Sequence, residues 1–488
     1  AAMSEPREPL RRIVVAGSGQ VGLLSAIALR RASPTTEVVL LAVAPQGPSF
    51  ADFTTTALPF TARLHERLGI EEERLVAVAG ASHRLVTRYF GWAARDQRGV
   101  FAHGGFSGPA MRTRFARDWG GGPDNAGGER PAGSLAEVLT DAGRFAPPPQ
   151  DRETPLSLIE YALRWNPAAY RAVLIEHARQ LGIGHVHGPI ETIERDGNGG
   201  IAGLNIQGQG WLEADLFVDC SGAAAVLAST LPGFALIDWS GVLPTRRVLV
   251  APPGEPMIAL EDRATLLEEG WLTEHAGRDG LLTMLGVGQG TDEQAAVAAL
   301  GGDPIATIPV SPGRLAQPWQ GNVVAIGDAS AQFEPLADLN LDLAHRQLDL
   351  LLEMLPGRQI EPLERAEYNR RAGLMMDGTR DLLALHYATP RAREVFGEVD
   401  LPEMVTTALD QFVRRGRMPF HEESAFLKEE EIDLLVALGF QRGLSLQEAA
   451  KGPDQFAAAQ AEFAGLARRA LESAPPYAEW IAAATKAS

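Results

Sequence analysis

The chain has 488 residues, of which 45% are hydrophobic and 22% charged, and its formal net charge is −18. That length holds two or three cores, and the composition is that of an ordinary globular protein. So acidic a surface repels nucleic acid and anionic lipid, no apolar run approaches the ~20 residues of a membrane span, and the one cysteine, Cys220, excludes an internal disulfide and a multi-cysteine metal site.

The first informative segment is "RRIVVAGSGQVGLLSAIALRRA". An apolar, β-branched strand runs into a glycine turn and then an Ala/Leu helix. Gly17 permits the tight turn, Gly19 lets the backbone approach a pyrophosphate, and Gly22 lets the helix pack close to the strand. The helix N-terminus adds free N–H groups and a partial positive charge. This spacing predicts a nucleotide site; the plainer alternative is a glycine turn that only joins strand to helix. The next strand, "EVVLLAVAP", carries Ala42 where a dinucleotide fold usually places an acid for a ribose hydroxyl.

Residues 54–80 read as helix, 84–102 alternate like paired strands, and 103–150 are rich in Gly and Pro and read as loop. A helix is expected over 167–182, followed by strands with an Asp-Gly-Asn-Gly turn between them. His185 and His187 share one face of a strand with no carboxylate cluster nearby, so no metal centre is expected. Cys220, before a strand-end glycine, reads as a small packing group. Residues 235–310 hold short strands and one helix at 290–300. "NVVAIGDAS" reads as a buried strand ending at Gly327 and Asp328, the aspartate being either a helix cap or a cofactor contact. Helices are expected at 339–355, 361–386, 402–415, 428–440, 445–472 and 475–486. The N-terminal residues lack the apolar core of a signal peptide, so a cytoplasmic location is expected.

Blocks spread from about residue 11 to 482 resemble, in order, the flavin-dependent tryptophan halogenases of the flavin-monooxygenase superfamily. They include "VVAGSGQVG", "LPFTARLHERLGI", "RYFGW", "WNPAAYRAVLIEHARQLGI", "GNGGIAGLNI", "GWLEADLFVDCSG", "VVAIGDASAQFEPL", "YNRR", "LLALHYATPR" and "APPYAEWI". The resemblance implies an α/β fold: a Rossmann-like FAD-binding module over 10–336 with interleaved substrate-side strands and a loop-rich insertion at 103–150, then a mainly helical cap over 337–488. It places FAD contacts on Gly17, Ser18, Gly19, Gln20, Val21 and Gly22, and further contacts on Gly327 and Asp328. It implies reduced FAD supplied by a separate flavin reductase, and oxygen and halide combining to hypohalous acid. That oxidant is directed by a lysine and a glutamate onto a small aromatic substrate, tryptophan or another indole. A homodimer is the default assembly.

The chain departs from the family pattern at several stations. In "HRLVTRYFGW" the family lysine position holds Arg84. Arginine stays charged, so Arg84 is expected to hydrogen-bond an anion or oxidant, or else to sit salt-bridged on its strand. The family's Trp-x-Trp-x-Ile-Pro motif keeps Trp271 but has Thr273, His275 and Ala276, which makes Trp271 a core residue rather than a gate. In "EPLADLN" the glutamate is Ala337, and the Thr-Gly halide turn is Leu339-Asn340. Asp338 adds a negative charge there, which disfavours an anion unless Asp338 is paired or points away. Three activities follow as alternatives: a halogenase with a divergent site; a flavin monooxygenase using His83, Arg84, His275 or Asp338; or a non-catalytic binding protein docking through its acidic helical C-terminal third.

Overall fold

The computed structural model describes residues 8–43, 49–103, 133–444 and 453–486. Strand β1 (Arg12–Ala16) leads through the glycine turn into α1 (Gln20–Ala32) and back to β2 (Glu37–Ala42), as the apolar runs predict. A short helix, α2 (Phe50–Phe53), follows. The expected helix over 54–80 is two, α3 (Pro59–Leu68) and α4 (Glu72–Val78), because Gly69 takes a left-handed conformation and caps the first. The chain then forms β3 (Ser82–Arg84), β4 (Val86–Phe90) and β5 (Arg98–Ala102), the last two antiparallel with Val86 opposite Ala102.

Much of the expected loop, residues 104–132, lies outside the described residues. The remainder holds an unforeseen helix, Leu135–Ala142, started by the Ser134 hydroxyl accepting from Glu137 N. β6 (Ala162–Arg164) pairs antiparallel with β3, setting Ser82 opposite Arg164. Helix α5 (Pro167–Gln180) starts where predicted, with Asn166 Oδ1 accepting from Ala169 N at 2.9 Å. β7 (Gly184–His187) follows, and its two histidines are exposed. In the Asp-Gly-Asn-Gly turn, Asp196 Oδ1 accepts from Asn198 N and Gly200 N at 2.8 and 2.7 Å.

β8 (Leu216–Asp219) returns to the first sheet. β9 (Arg247–Val250), β10 (Glu261–Leu266), β11 (Gly270–His275), β12 (Leu282–Val287) and β13 (Ala306–Pro309) build a second one. β14 (Trp319–Gln320) and β15 (Val323–Ala325) close the first. Its order is β14–β15–β8–β1–β2–β7, parallel except for β14, with the glycine turn at the C-terminal end of the central β1. Ligands of open α/β sheets bind at that end. The second sheet runs β13–β9–β12–β11–β10–β4–β5.

A short 3-10 turn, Gly327–Ala329, leaves β15. At Ala337 and Asp338 the chain kinks, with φ of +60° and +58°, into α6 (Leu339–Glu353). The long α7 (Pro362–Tyr387) and helices Glu403–Arg415, Lys428–Ala437, Pro453–Ser473 and Tyr477–Lys486 match the expected set, and Pro390–Phe396 adds one more. Of the expected 445–472 helix, residues 445–452 lie outside the described residues. One buried apolar cluster takes residues from both sides of position 336, from Leu10 in the sheet module to Ile481 in the last helix. Among the described residues, no helix is long and apolar enough to cross a membrane.

Candidate functional site

The three turn glycines have three separate geometric reasons. Gly17 has φ +117°, and a Cβ there would lie 2.2 Å from the Cys220 carbonyl oxygen. A Cβ on Gly22 would lie 2.0 Å from the Gly17 carbonyl oxygen, so α1 packs on β1 only without it. A Cβ on Gly19 would lie 2.2 Å from the carboxylate of Asp52, on α2.

Asp52 was not foreseen. Its Oδ1 accepts from Val21 N at 3.1 Å, so an internal carboxylate already engages the N-terminus of α1. Gln20 does not turn to the phosphate position: its amide donates to Ala51 O and Thr54 O at 2.8 and 3.1 Å, and its oxygen accepts from Trp165 Nε1 at 3.0 Å. Arg171 Nε donates to Ser18 O at 2.6 Å and brings a cation to the turn. Asp328 is buried facing α2, accepting from the N–H groups of Phe50 and Ala51. Burial, with Asp52 next, pushes its pKa up to about 7; burial alone lifts Asp52 to about 6 against Val21 N, Ser49 and Arg171. Beyond the Gly327–Ala329 turn lies a cleft of 440 Å³, walled by Ala223, Phe234, Arg246, Pro312, Asp328 and Gln332 among others. The glycine turn, the α1 N-terminus, Arg171 and this cleft fit a flavin dinucleotide. Among the described residues, the Asp52 carboxylate, with Asp328 behind it, conflicts with its pyrophosphate.

The segment carrying α2 runs on into a second centre. There Arg84, fully buried, donates through Nη1 to Asp338, lies 3.2 Å from Asp262 Oδ2, and donates through Nη2 to Ala57 O at 3.0 Å. Asp338 Oδ1 also accepts from Thr56 Oγ1 at 2.8 Å. Asp262 is the hub: Arg164 Nη1 donates to it at 2.6 Å, His275 Nδ1 lies at 3.1 Å, and Ala276 N donates at 3.2 Å. Sheet register explains the meeting, because Asp262 stands opposite His275 on β11 and beside Thr87 on β4. Thus Asp338 is paired, as an anion-tolerant site requires, and Arg84 is salt-bridged on its strand.

Burial would lower the Arg84 pKa, but Asp338 and Asp262 more than offset it and the guanidinium stays charged. His275 follows the same balance: burial pulls down, Asp338 and Asp262 push up, and its pKa ends raised. Burial raises Asp262, yet Arg164, His275 and Arg84 hold it well below the carboxylate range. Asp262, His275 and Asp338 bring ligand-type atoms within 4.8 Å of one another. Both carboxylates already carry an arginine, so a cation there would have to displace one. Arg84 Nε, Arg164 Nε and His275 Nε2 are buried without a hydrogen-bond partner. The His83 side chain takes no part, bonding Glu72 and Tyr477 at 2.9 Å each, and only its carbonyl oxygen reaches the cluster, accepting from Arg164 Nη2 at 3.0 Å. Asp262 and Arg164 escaped the sequence reading, although an aspartate on the buried face of the alternating strand "EDRATL" is the signal that points to one of them.

Trp271 is a core residue. It lies over Gly286, whose Cβ would fall 2.0 Å from the ring, and its Nε1 donates to Thr245 Oγ1 at 2.9 Å. Tyr387 OH, beside it, donates to Glu334 Oε1 at 2.5 Å, and burial pushes Glu334 up to about 7. Its unfolded value is near 4.5, so between those values the unfolded chain ionises while the folded one holds its proton. Stability therefore falls as pH rises through that window, by about 3 kcal/mol in all. Glu334→Gln should remove most of this loss, which urea unfolding at pH 5 and pH 8 measures; an equal pH dependence in both proteins would contradict it.

The chain matches the tryptophan halogenase family over residues 12–450. Tryptophan 7-halogenase RebH of Lentzea aerocolonigenes is 25% identical over 429 residues, covering 79% of this chain and 78% of that protein. Tryptophan 6-halogenase SttH of Streptomyces toxytricini is 28% identical over 240 residues, 46% of each chain. Among solved structures, the flavin-dependent halogenase BrvH from Brevundimonas sp. BAL3 superposes with a TM-score of 0.85 at 23% identity, covering 97% of this chain and 99% of that one. The flavin-dependent halogenase Xcc4156 from Xanthomonas campestris gives 0.83 at 22% identity, covering 97% and 98%. A family match over nearly the whole chain, on the same fold and with the glycine turn in place, makes this protein a member of the flavin-dependent tryptophan halogenase family, whose cofactor is FAD.

Proposed function

We propose that the chain carries out flavin-dependent oxidative halogenation of a tryptophan-like aromatic substrate, with the buried Arg84 cluster as its chemical centre. The observation that carries this is the pairing of Arg84 with Asp338. They come from the two segments that resemble the family's lysine and glutamate blocks, and His275 Nε2 stands 3.8 Å from Asp338 Oδ1. FAD, bound and reduced, supplies with dioxygen the two-electron oxidation of halide. Overall, an aromatic C–H, halide, dioxygen, a proton and FADH2 give the aryl halide, FAD and two waters.

The protein's own groups act as follows. Gly19, the α1 N-terminus and Arg171 hold the pyrophosphate, with Gly327 and Asp328 bordering the ring cleft. Arg84 remains a guanidinium, so hypohalous acid is held by hydrogen bonds rather than as an N–halogen bond. Arg84 Nε and His275 Nε2, both buried without a hydrogen-bond partner, are the donors left for its oxygen when His275 carries its proton. His275 gives its proton to the departing hydroxide as the aromatic carbon takes the halogen, and regains one from that carbon. Asp338 and Asp262 favour the charged form of His275. Reduced FAD comes from a separate flavin reductase, and the protein works as a cytoplasmic homodimer.

The test is turnover with reduced FAD, oxygen and bromide against tryptophan and a panel of indoles, read by mass for the bromine isotope doublet. Arg84→Met should lower brominated product about a hundredfold while oxygen is still consumed to peroxide, the scale for removing one buried donor. The proposal fails if the wild-type chain consumes oxygen yet brominates none of the panel.

A further inference from the structure

We propose that Asp52 is an internal occupant of the pyrophosphate position, so that FAD binds only when the segment carrying α2 gives way. This rests on FAD being the cofactor of the proposed reaction. A dinucleotide turn leaves its second position without a Cβ so that phosphate oxygens come close to the backbone. Here the atoms closest to that position are Cγ, Oδ1 and Oδ2 of Asp52, all within 2.4 Å of where a Cβ would stand. The same carboxylate takes the N–H of Val21 at 3.1 Å. A helix N-terminus favours one anion at its first turn, and this chain supplies its own.

The occupant is built in. Gln20 ties the α2 segment down at Ala51 O and Thr54 O, and is itself braced by Trp165. Asp328 holds the other end through the N–H groups of Phe50 and Ala51. Two carboxylates, the half-buried Asp52 and the buried Asp328, therefore face the place where a doubly charged pyrophosphate enters, with Arg171 as the nearby cation. The missing ribose acid at Ala42 leaves less on the cofactor's side to offset the displacement of Asp52.

Calorimetric titration of the full chain with FAD, and separately with ADP, tests this. ADP keeps the pyrophosphate and lacks the flavin. Asp52→Asn and Asp52→Ala should each bind both ligands at least about tenfold tighter than wild type, or ~1.4 kcal/mol. Tightening of ADP alone supports the role of Asp52 and counts against the flavin reaction. No tightening of either ligand overturns the proposal and leaves Asp52 as a helix cap. A ligand-free check runs beside it: Gly19→Ala should destabilise the wild-type chain but be tolerated in the Asp52→Ala background. An equal cost in both backgrounds would also overturn it.

Discussion

Asp262→Ala is expected to destabilise the fold by about 3–5 kcal/mol, the cost of leaving buried charges without their partner. Asp262 touches Arg164, His275 and Arg84 at once, and the Ala276 backbone as well. Without it, Arg84 and His275 share one buried carboxylate, Asp338, and Arg164 is left with backbone carbonyls alone. No rearrangement on β10 replaces it, because its register neighbours on the adjoining strands are Thr87 and His275. Since Asp262 is held below the ordinary range, its contribution is complete above the unfolded carboxylate value and is lost only as pH falls below it. The carboxylate's own share of the difference between wild type and variant should thus be complete down to about pH 4 and shrink in stronger acid, while its support of His275 enlarges the difference as pH falls from 8 through the histidine range. Urea unfolding across that range measures it; a loss under about 1 kcal/mol would show that Asp262 is not the hub.

Gly22→Ala should destabilise by about 3 kcal/mol, against the ordinary sign of such a change. In an exposed helix, glycine to alanine gains up to about 1 kcal/mol from propensity. Here the added Cβ falls 2.0 Å from the Gly17 carbonyl oxygen, which is backbone and cannot swing aside. Gly17 in turn is pressed against the Cys220 carbonyl, so relief requires α1 to lift from β1. The shift would pull the α1 N-terminus off the phosphate position, so FAD and ADP affinity should fall as well. Thermal unfolding decides: a raised melting temperature would mean that helix and strand are not in close contact.

Local chemistry made much of this legible in advance. The spacing of Gly17, Gly19 and Gly22 between an apolar strand and an Ala/Leu helix sufficed for the strand–turn–helix unit. The helix expected over 167–182 begins at Pro167, where the Asn166 cap and the proline ring act on the first turn. The helix expected over 54–80 broke at Gly69, a C-cap signal present in the sequence, and Leu135–Ala142 formed in a stretch read as loop. Arg84, Asp338 and His275 were each singled out from their blocks, but that they touch was not, since β3, the α6 kink and β11 are far apart in the chain.

By itself, the sequence determined most of the elements, the glycine turn and the altered stations at positions 42, 84, 273, 337 and 339–340, because turn chemistry and hydrophobic period act over a few residues. Only the tertiary structure decided what those residues face. It set Asp262 between two arginines through strand register, closed Arg84 onto Asp338, and laid Asp52 over Gly19. Such meetings depend on how sheets and helices pack across long chain separations, and a buried charge takes its meaning from whichever partner that packing delivers.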